Sequence, residues 1–193
     1  SRLYVSKLLT NELFKNILNS LKRIPDAPFT DEDINIYGNY CNKLKTRYMN
    51  YDYSNFHDVD ALYRELHDSL YDYMTCARGY KTIIHGDPVM TNIILNGNGK
   101  LKFIDMRGKV GETLTILGDR NYDYAKIYQS IIGYDEILHE THIDTEYREQ
   151  IIKCFNEFIT EHYGNECLSD IKLITQSLLF TLIPLHKNNK CNQ

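Results

Sequence analysis

Asp87, Asn92 and Asp105 are three oxygen-bearing side chains at a spacing that suits phosphoryl transfer. They lie in two short stretches, His85-Gly86-Asp87-Pro88-Val89-Met90-Thr91-Asn92 and Phe103-Ile104-Asp105. Phosphoryl transfer asks little covalent chemistry of a protein. One carboxylate orients the acceptor hydroxyl, and oxygen ligands hold the metal that neutralises charge on the phosphates. Asp87 suits the first task, and Asn92 with Asp105 the second. Mg²⁺ fits such a pair because it takes one or two protein oxygens and completes its octahedron with water and nucleotide phosphates. Each residue alone has an ordinary reading: His-Gly-Asp as a turn before a strand, Asn92 as a loop cap, Asp105 as a strand-ending turn residue. Together, their order, spacing and strand context point the same way.

The elements that must position these residues are short. Thr82-Ile83-Ile84, Ile93-Ile94-Leu95 and Leu101-Lys102-Phe103-Ile104 are β-prone runs, and Asn96-Gly97-Asn98-Gly99 separates the last two. Asn-Gly between apolar runs predicts a β-hairpin over about 93–104. Asn92 then stands just before the first strand and Asp105 just after the second. The hairpin would bring them together across roughly 5 Å of strand separation. Asp87, five residues before Asn92, faces the same point from the preceding loop.

Around this centre the chain reads as helices. Leu3, Tyr4, Leu8, Leu9, Leu13, Ile17 and Leu21 recur with a helical period until Pro25 and Pro28 interrupt. Thr30 before Asp31-Glu32-Asp33 predicts an N-cap, and Tyr37, Tyr40, Cys41, Leu44 and Tyr48 form the stripe that follows. Val59, Leu62, Tyr63, Leu66, Leu70 and Tyr73 make a third stripe that carries the chain to Gly79. Residues 108–120 read as Gly- and Thr-containing loop, and helical spacing resumes from Tyr122 to Ile132. Asp144 caps a further stripe, Ile151 to Ile159, that stops at Gly164; a last helix runs from about Leu168 to Ile183 and ends at Pro184. The expectation is one α+β, mostly helical domain: helices over 1–78, the catalytic loop and metal hairpin over 82–108, helices over 122–185.

Composition narrows the partners. With 42% hydrophobic residues in 193, the chain can bury one sizeable core. A net charge of -4 gives no general pull toward nucleic acid or anionic membrane. Five scattered cysteines, Cys41, Cys76, Cys154, Cys167 and Cys191, form no C-x-x-C pair, which argues for a reducing, cytoplasmic setting over a disulfide framework or zinc site. The chain opens Ser1-Arg2 without an initiator Met, as expected of a trimmed or excised piece or, equally, of a processed terminus. His139-Glu140-Thr141-His142 spaces its histidines three apart rather than four and reads as polar loop. The sixteen tyrosines sit mostly at stripe spacing and belong to helix faces rather than to a cage for a quaternary ammonium.

His85-Gly-Asp87-x-x-x-x-Asn92 with Ile104-Asp105 resembles the aminoglycoside phosphotransferase and choline kinase family, a branch of the protein-kinase-like fold. The resemblance implies Asp87 as catalytic base, Asn92 and Asp105 as Mg²⁺ ligands that bind the ATP phosphates through the metal, and His85 as a brace of the catalytic loop. Gly118-Asp119-Arg120-Asn121-Tyr122-Asp123-Tyr124-Ala125-Lys126 resembles a later segment of that family. There the second acid, here Asp123, opens a helix and supports the catalytic loop. Asp105-Met106-Arg107-Gly108 departs from the commoner ending and is similar to a subset associated with bacterial surface-polysaccharide and sugar-phosphate pathways. Arg107 would grip a phosphate or an anionic acceptor, or pair with an acid such as Asp119.

The family also implies a Gly-rich hairpin over ATP and a Lys-bearing strand. Gly38 is the only Gly before Gly79, so the chain is expected to be a carboxy-terminal lobe whose N-terminal lobe belongs to a longer parent. The expected function is ATP- and Mg²⁺-dependent transfer to a small-molecule acceptor, a sugar or polysaccharide precursor among the candidates. The other readings are a non-catalytic kinase-like binding module and a metallohydrolase using His85 and Asp87.

Overall fold

A computed structural model describes residues 1–27, 29–30 and 32–185, with the backbone alone described at position 184. Pro28, Asp31 and Cys191 lie outside the described residues. The architecture is α+β and mostly helical, with three small antiparallel two-stranded sheets.

The N-terminal stripe folds as two pieces. Helix α1 (Arg2–Val5) ends in a turn with Lys7 at φ 58°, and α2 (Asn11–Lys22) begins after Thr10, whose hydroxyl accepts from the Leu13 N–H at 3.2 Å. A capping hydroxyl offers the chain a fresh start that periodicity alone does not reveal. Leu8, counted in the stripe, falls in this break and is exposed.

The next helix starts ten residues later than Thr30-Asp31 suggested, as α3 (Cys41–Asn50). The intervening chain is turned by Asn35, whose side chain accepts from the Tyr37 N–H at 3.0 Å while its carbonyl accepts from Gly38 at 3.2 Å. Such a local side-chain turn competes with helix and wins here. Helix α4 (Val59–Thr75) follows the predicted third stripe, burying Val59, Leu66, Leu70 and Tyr73.

The middle of the chain contains more strand than its sequence announces. Strand β1 (Lys81–Ile83) is followed by β2 (Ile93–Leu95) and β3 (Leu101–Phe103), which form the expected hairpin in the register Ile93↔Phe103, Ile94↔Lys102, Leu95↔Leu101. Its loop has five residues, not a two-residue Asn-Gly turn: the Asn96 side chain accepts from the N–H groups of Asn98 and Lys100, and Gly99 takes φ 75°. The region read as loop holds a second hairpin, β4 (Lys109–Val110) with β5 (Thr113–Leu114), and then β6 (Leu117–Asp119). Strand β6 pairs with β1 through Lys81↔Asp119, Thr82↔Gly118 and Ile83↔Leu117. Strands β4, β5 and β6, two or three residues each, show no period of two to read, so only the tertiary pairing defines them.

Helix α5 (Arg120–Gln129) leaves β6 directly, two residues before the predicted start, with Asp119 as its cap. The chain then widens through Ser130–Tyr134, where Gly133 adopts φ 137°, into the short α6 (Asp135–Leu138). Helix α7 spans Thr145–Leu182 and is broken at Gly164, where φ 88° and ψ 168° leave the helical region. Asp144 accepts from the Tyr147 N–H at 2.8 Å at its start.

The core lies between α5 and α7, with α2, α3 and α4 packed against α7. Phe155, Ile159, Ile171 and Ile174 of α7 are fully buried with Ala125 and Ile127 of α5. Each such large side chain contributes about 1.5–3 kcal/mol relative to exposure. Because α5 is buried on nearly every side, its polar residues, Asn121, Asp123 and Gln129, are buried with it. No helix among the described residues is long and apolar enough to cross a membrane.

Candidate active site

The pairing of β1 with β6 sets the geometry. Strand β1 runs into the His85–Val89 loop, and β6 runs into the first turn of α5, so Asp123 arrives directly beneath that loop. Its two carboxylate oxygens accept from the backbone N–H groups of His85 at 2.7 Å and Gly86 at 2.8 Å. Burial pushes the Asp123 carboxyl up to about 7, against the pull of those two N–H donors. Gly86 is required twice over: it adopts φ 83°, and a Cβ there would stand 2.8 Å from Cβ of Arg107.

His85 is buried and bridges within the loop. Its Nδ1 accepts from the Asp87 N–H at 3.3 Å, its carbonyl accepts from the Arg107 N–H at 2.9 Å, and its ring lies 5.8 Å from that of Phe103. Burial holds the imidazole below its ordinary range, against the Ile104 backbone and the Asp87 and Asp105 carboxylates. A ring with one nitrogen accepting from the Asp87 N–H braces the loop. Among the described residues no group of three or more His, Cys, Asp or Glu could hold a metal ion.

Asn92 closes the loop from the other end, its Nδ2 donating to the Asp87 carbonyl at 2.9 Å. Its own carbonyl accepts from the Ile104 N–H at 3.0 Å, so Asp105 leaves the hairpin one residue beyond the paired position, at φ 63°. The structure thus brings Asp87, Asn92, His85, Arg107 and Asp123 into one hydrogen-bonded network, with Asp105 at its edge. Asn92 and Asp105 make no hydrogen bond with each other, and the Asp105 side chain is exposed. The pairing of Ile104 with Asn92 leaves Asp105 at the end of the hairpin that follows Asn92, and an amide and a carboxylate oxygen are of the kind Mg²⁺ takes when water and phosphate complete its shell.

One expectation about a charged partner changes. Arg107 does not pair with Asp119; its Nη1 donates to the Tyr122 hydroxyl at 3.1 Å. Asp119 is already saturated, accepting from the hydroxyls of Tyr40 at 2.6 Å and Tyr73 at 2.5 Å and from the N–H groups of Tyr80 and Asn121. Tyr37 packs edge-on against Tyr73, 5.7 Å between ring centroids, so these tyrosines serve as buried donors and packing around one carboxylate. His139 and His142 do not converge: His139 lies against the Ser1 hydroxyl and His142 against Glu136.

Lys126 is the residue whose place at the site sequence reasoning missed. Its ammonium lies 3.1 Å from Oδ1 of Asp87, with the Tyr122 ring below it at 5.9 Å. Burial alone would lower its pKa, but Tyr122 and the Asp87 carboxylate outweigh that and hold it above the ordinary lysine range. The available signal was spacing: Asp123 and Lys126 are three apart on one helix face, so a face that offers Asp123 to the loop backbone offers Lys126 to the loop's carboxylate. No family model matches the chain, and neither a curated protein nor a solved structure is significantly similar to it.

Proposed function

We propose that the region from His85 to Asp105 is the metal-holding half of an ATP- and Mg²⁺-dependent phosphotransferase, in the manner of the carboxy-terminal lobe of a kinase-like fold. The double clamp on the Asp87 loop carries this reading: Asp123 holds both N–H groups before Asp87, and Asn92 holds its carbonyl. A loop that only turns the chain has no need of a buried carboxylate beneath it, which is costly to bury. A loop that must fix a carboxylate within a fraction of an ångström does.

In this mechanism the acceptor oxygen attacks the γ-phosphorus of ATP, the bond from that phosphorus to its bridging oxygen breaks, ADP leaves, and the acceptor proton passes to Asp87. Asp87 is the base, Asn92 and Asp105 hold Mg²⁺, and His85 and Asp123 keep the loop in place. When bound, the metal neutralises charge on the phosphates. Lys126 fixes one oxygen of Asp87 and leaves the other for the acceptor hydroxyl. Ile94, exposed on the outer face of the hairpin, borders a largely apolar cavity of about 630 Å³ with Leu95 and Leu101, a floor suited to a flat base. A cover over the phosphates, such as a Gly-rich hairpin, has no counterpart among the described residues, so the reading gives this chain weak turnover by itself. The acceptor class that Asp105-Met106-Arg107-Gly108 suggests is a sugar or polysaccharide precursor.

The ion pair of Asp87 with Lys126 favours a second reading, a kinase-like module that binds nucleotide without transfer. Asp87→Asn separates the two. If Asp87 is the base, transfer from γ-labelled ATP falls by about 10²-fold or more while nucleotide affinity stays near normal. Unchanged transfer rejects the base assignment. Nucleotide binding without transfer in the wild-type chain, even with a supplied cover, favours the binding module.

A further inference from the structure

Arg107 faces two ways. Its backbone belongs to the Asp87 loop, and its side chain lines a cleft of about 950 Å³ between α3 and the β4–β5 hairpin. Helix α3 carries Lys43, Lys45 and Arg47 and no acid. Leu44 faces the core, while Lys43, Thr46, Arg47 and Asn50, at helical spacing, line the cleft. The hairpin adds Lys109 from the opposite wall.

This wall is built rather than incidental. The Gly111 N–H donates to the Asn39 side chain at 3.1 Å, fastening the hairpin to the start of α3. Gly111 sits at φ 57°, a backbone conformation that favours glycine. Among the described residues that line the cleft the only acid is Glu112, which is 99% exposed and 3.9 Å from Lys109. Lys43 makes no ion pair among the described residues, and its ammonium is pushed down by burial and by its cationic neighbours Lys126, Arg107 and Arg47. Lys43 and Arg47 are also one helical turn apart, a like-charge pairing that weakens a helix. A chain of net charge -4 has therefore gathered four half-buried cations at one cleft beside its candidate catalytic carboxylate.

We propose that this cleft is the acceptor subsite and that the acceptor is a hydroxylated small molecule carrying its own anionic group, a phosphate or a carboxylate, held by Lys43, Arg47 and Lys109 with Arg107 between it and Asp87. Bidentate guanidinium contacts suit either anion. The cleft's volume suits a molecule of sugar size. A cationic acceptor is disfavoured by the same field. The inference rests on the phosphotransferase reading for the word acceptor, but the cleft's preference can be measured without turnover.

The full chain is titrated by calorimetry with a hexose phosphate, glucuronate, glucose and glucosamine, and separately with Mg²⁺-ADP. The expected result is that one or both anionic sugars bind about tenfold or more tightly than glucose or glucosamine, and that Mg²⁺-ADP does not compete with them. Preference for the hexose phosphate over glucuronate assigns the anion as phosphate, and the reverse assigns it as carboxylate. Lys43→Gln with Arg47→Gln should abolish the preference without lowering the melting temperature and with Mg²⁺-ADP affinity unchanged. Equal binding of glucose or glucosamine, an unaffected double variant, or competition by Mg²⁺-ADP would overturn the assignment. Anionic sugar binding in a chain that binds no Mg²⁺-nucleotide would instead retire the phosphotransferase reading, and with it the acceptor role.

Discussion

At the scale of residues, the buried carboxylate of Asp123 is the clearest case of a group whose energetic cost is offset by what it holds. It accepts from two backbone N–H groups in a site without water access, and burial raises its pKa to about 7 from 3.8. The native state then binds this proton more tightly than the unfolded chain does, between about pH 4 and 7. By linkage, the carboxyl favours folding most below about pH 4, and that contribution declines as pH rises through about 7. Asp123→Asn removes the titration and turns an amide N–H toward a donor, so it should destabilise the chain by about 1–3 kcal/mol at low pH. Denaturant midpoints measured from pH 4 to 8 should show wild type losing its advantage over the variant with rising pH; an advantage that grows with pH contradicts the assignment. His85, Asp87, Asn92 and Asp105 could be picked out from type and spacing because loop chemistry is local in sequence. Lys126 could not, because its role depends on which side of α5 faces the loop, and that is fixed by the β1–β6 pairing.

At the scale of elements, amphipathic helices and the strands of the turn-marked hairpin were legible, and the short strands β4, β5 and β6 were not. The α4 stripe, the Gly164 break in α7 and the 93–104 hairpin all follow from residue periods or turn residues that lie close together in the sequence. Strands β4, β5 and β6 are two or three residues long, and β6 is defined only by its distant partner β1. Thr10 and Asn35 each redirected a predicted helix through a local side-chain hydrogen bond, a competition that hydrophobic spacing does not register. The hairpin that carries Asn92 and leads to Asp105 depends in turn on Asn96, whose side chain accepts from two backbone N–H groups of the loop. Asn96→Ala should destabilise the chain by about 1 kcal/mol and weaken Mg²⁺-nucleotide binding without touching a ligand. Loss of stability with unchanged affinity would show that the hairpin tip does not set the spacing of the proposed metal ligands.

At the scale of the whole molecule, α5 is buried against α7; its cap Asp119 meets a tyrosine cluster, while the helix presents Asp123 to the Asp87 loop and Lys126 to the Asp87 carboxylate. One buried helix thus ties the core to the site, which explains why so polar a sequence as Arg120–Gln129 lies at the centre. Net charge and composition predicted no nucleic-acid partner, yet they hid the cationic cleft beside Arg107, because a sum over the chain carries no information about where charges gather. The central claim, that Asn92 and Asp105 hold a metal for nucleotide phosphates, is tested most directly by nucleotide affinity with and without Mg²⁺. Binding of ADP to the full chain, followed by calorimetry, should require Mg²⁺ and weaken by about tenfold or more in Asp105→Ala, while Asp87→Asn stays near wild type. ADP binding that survives chelation of the metal, or is unchanged in Asp105→Ala, would contradict the account.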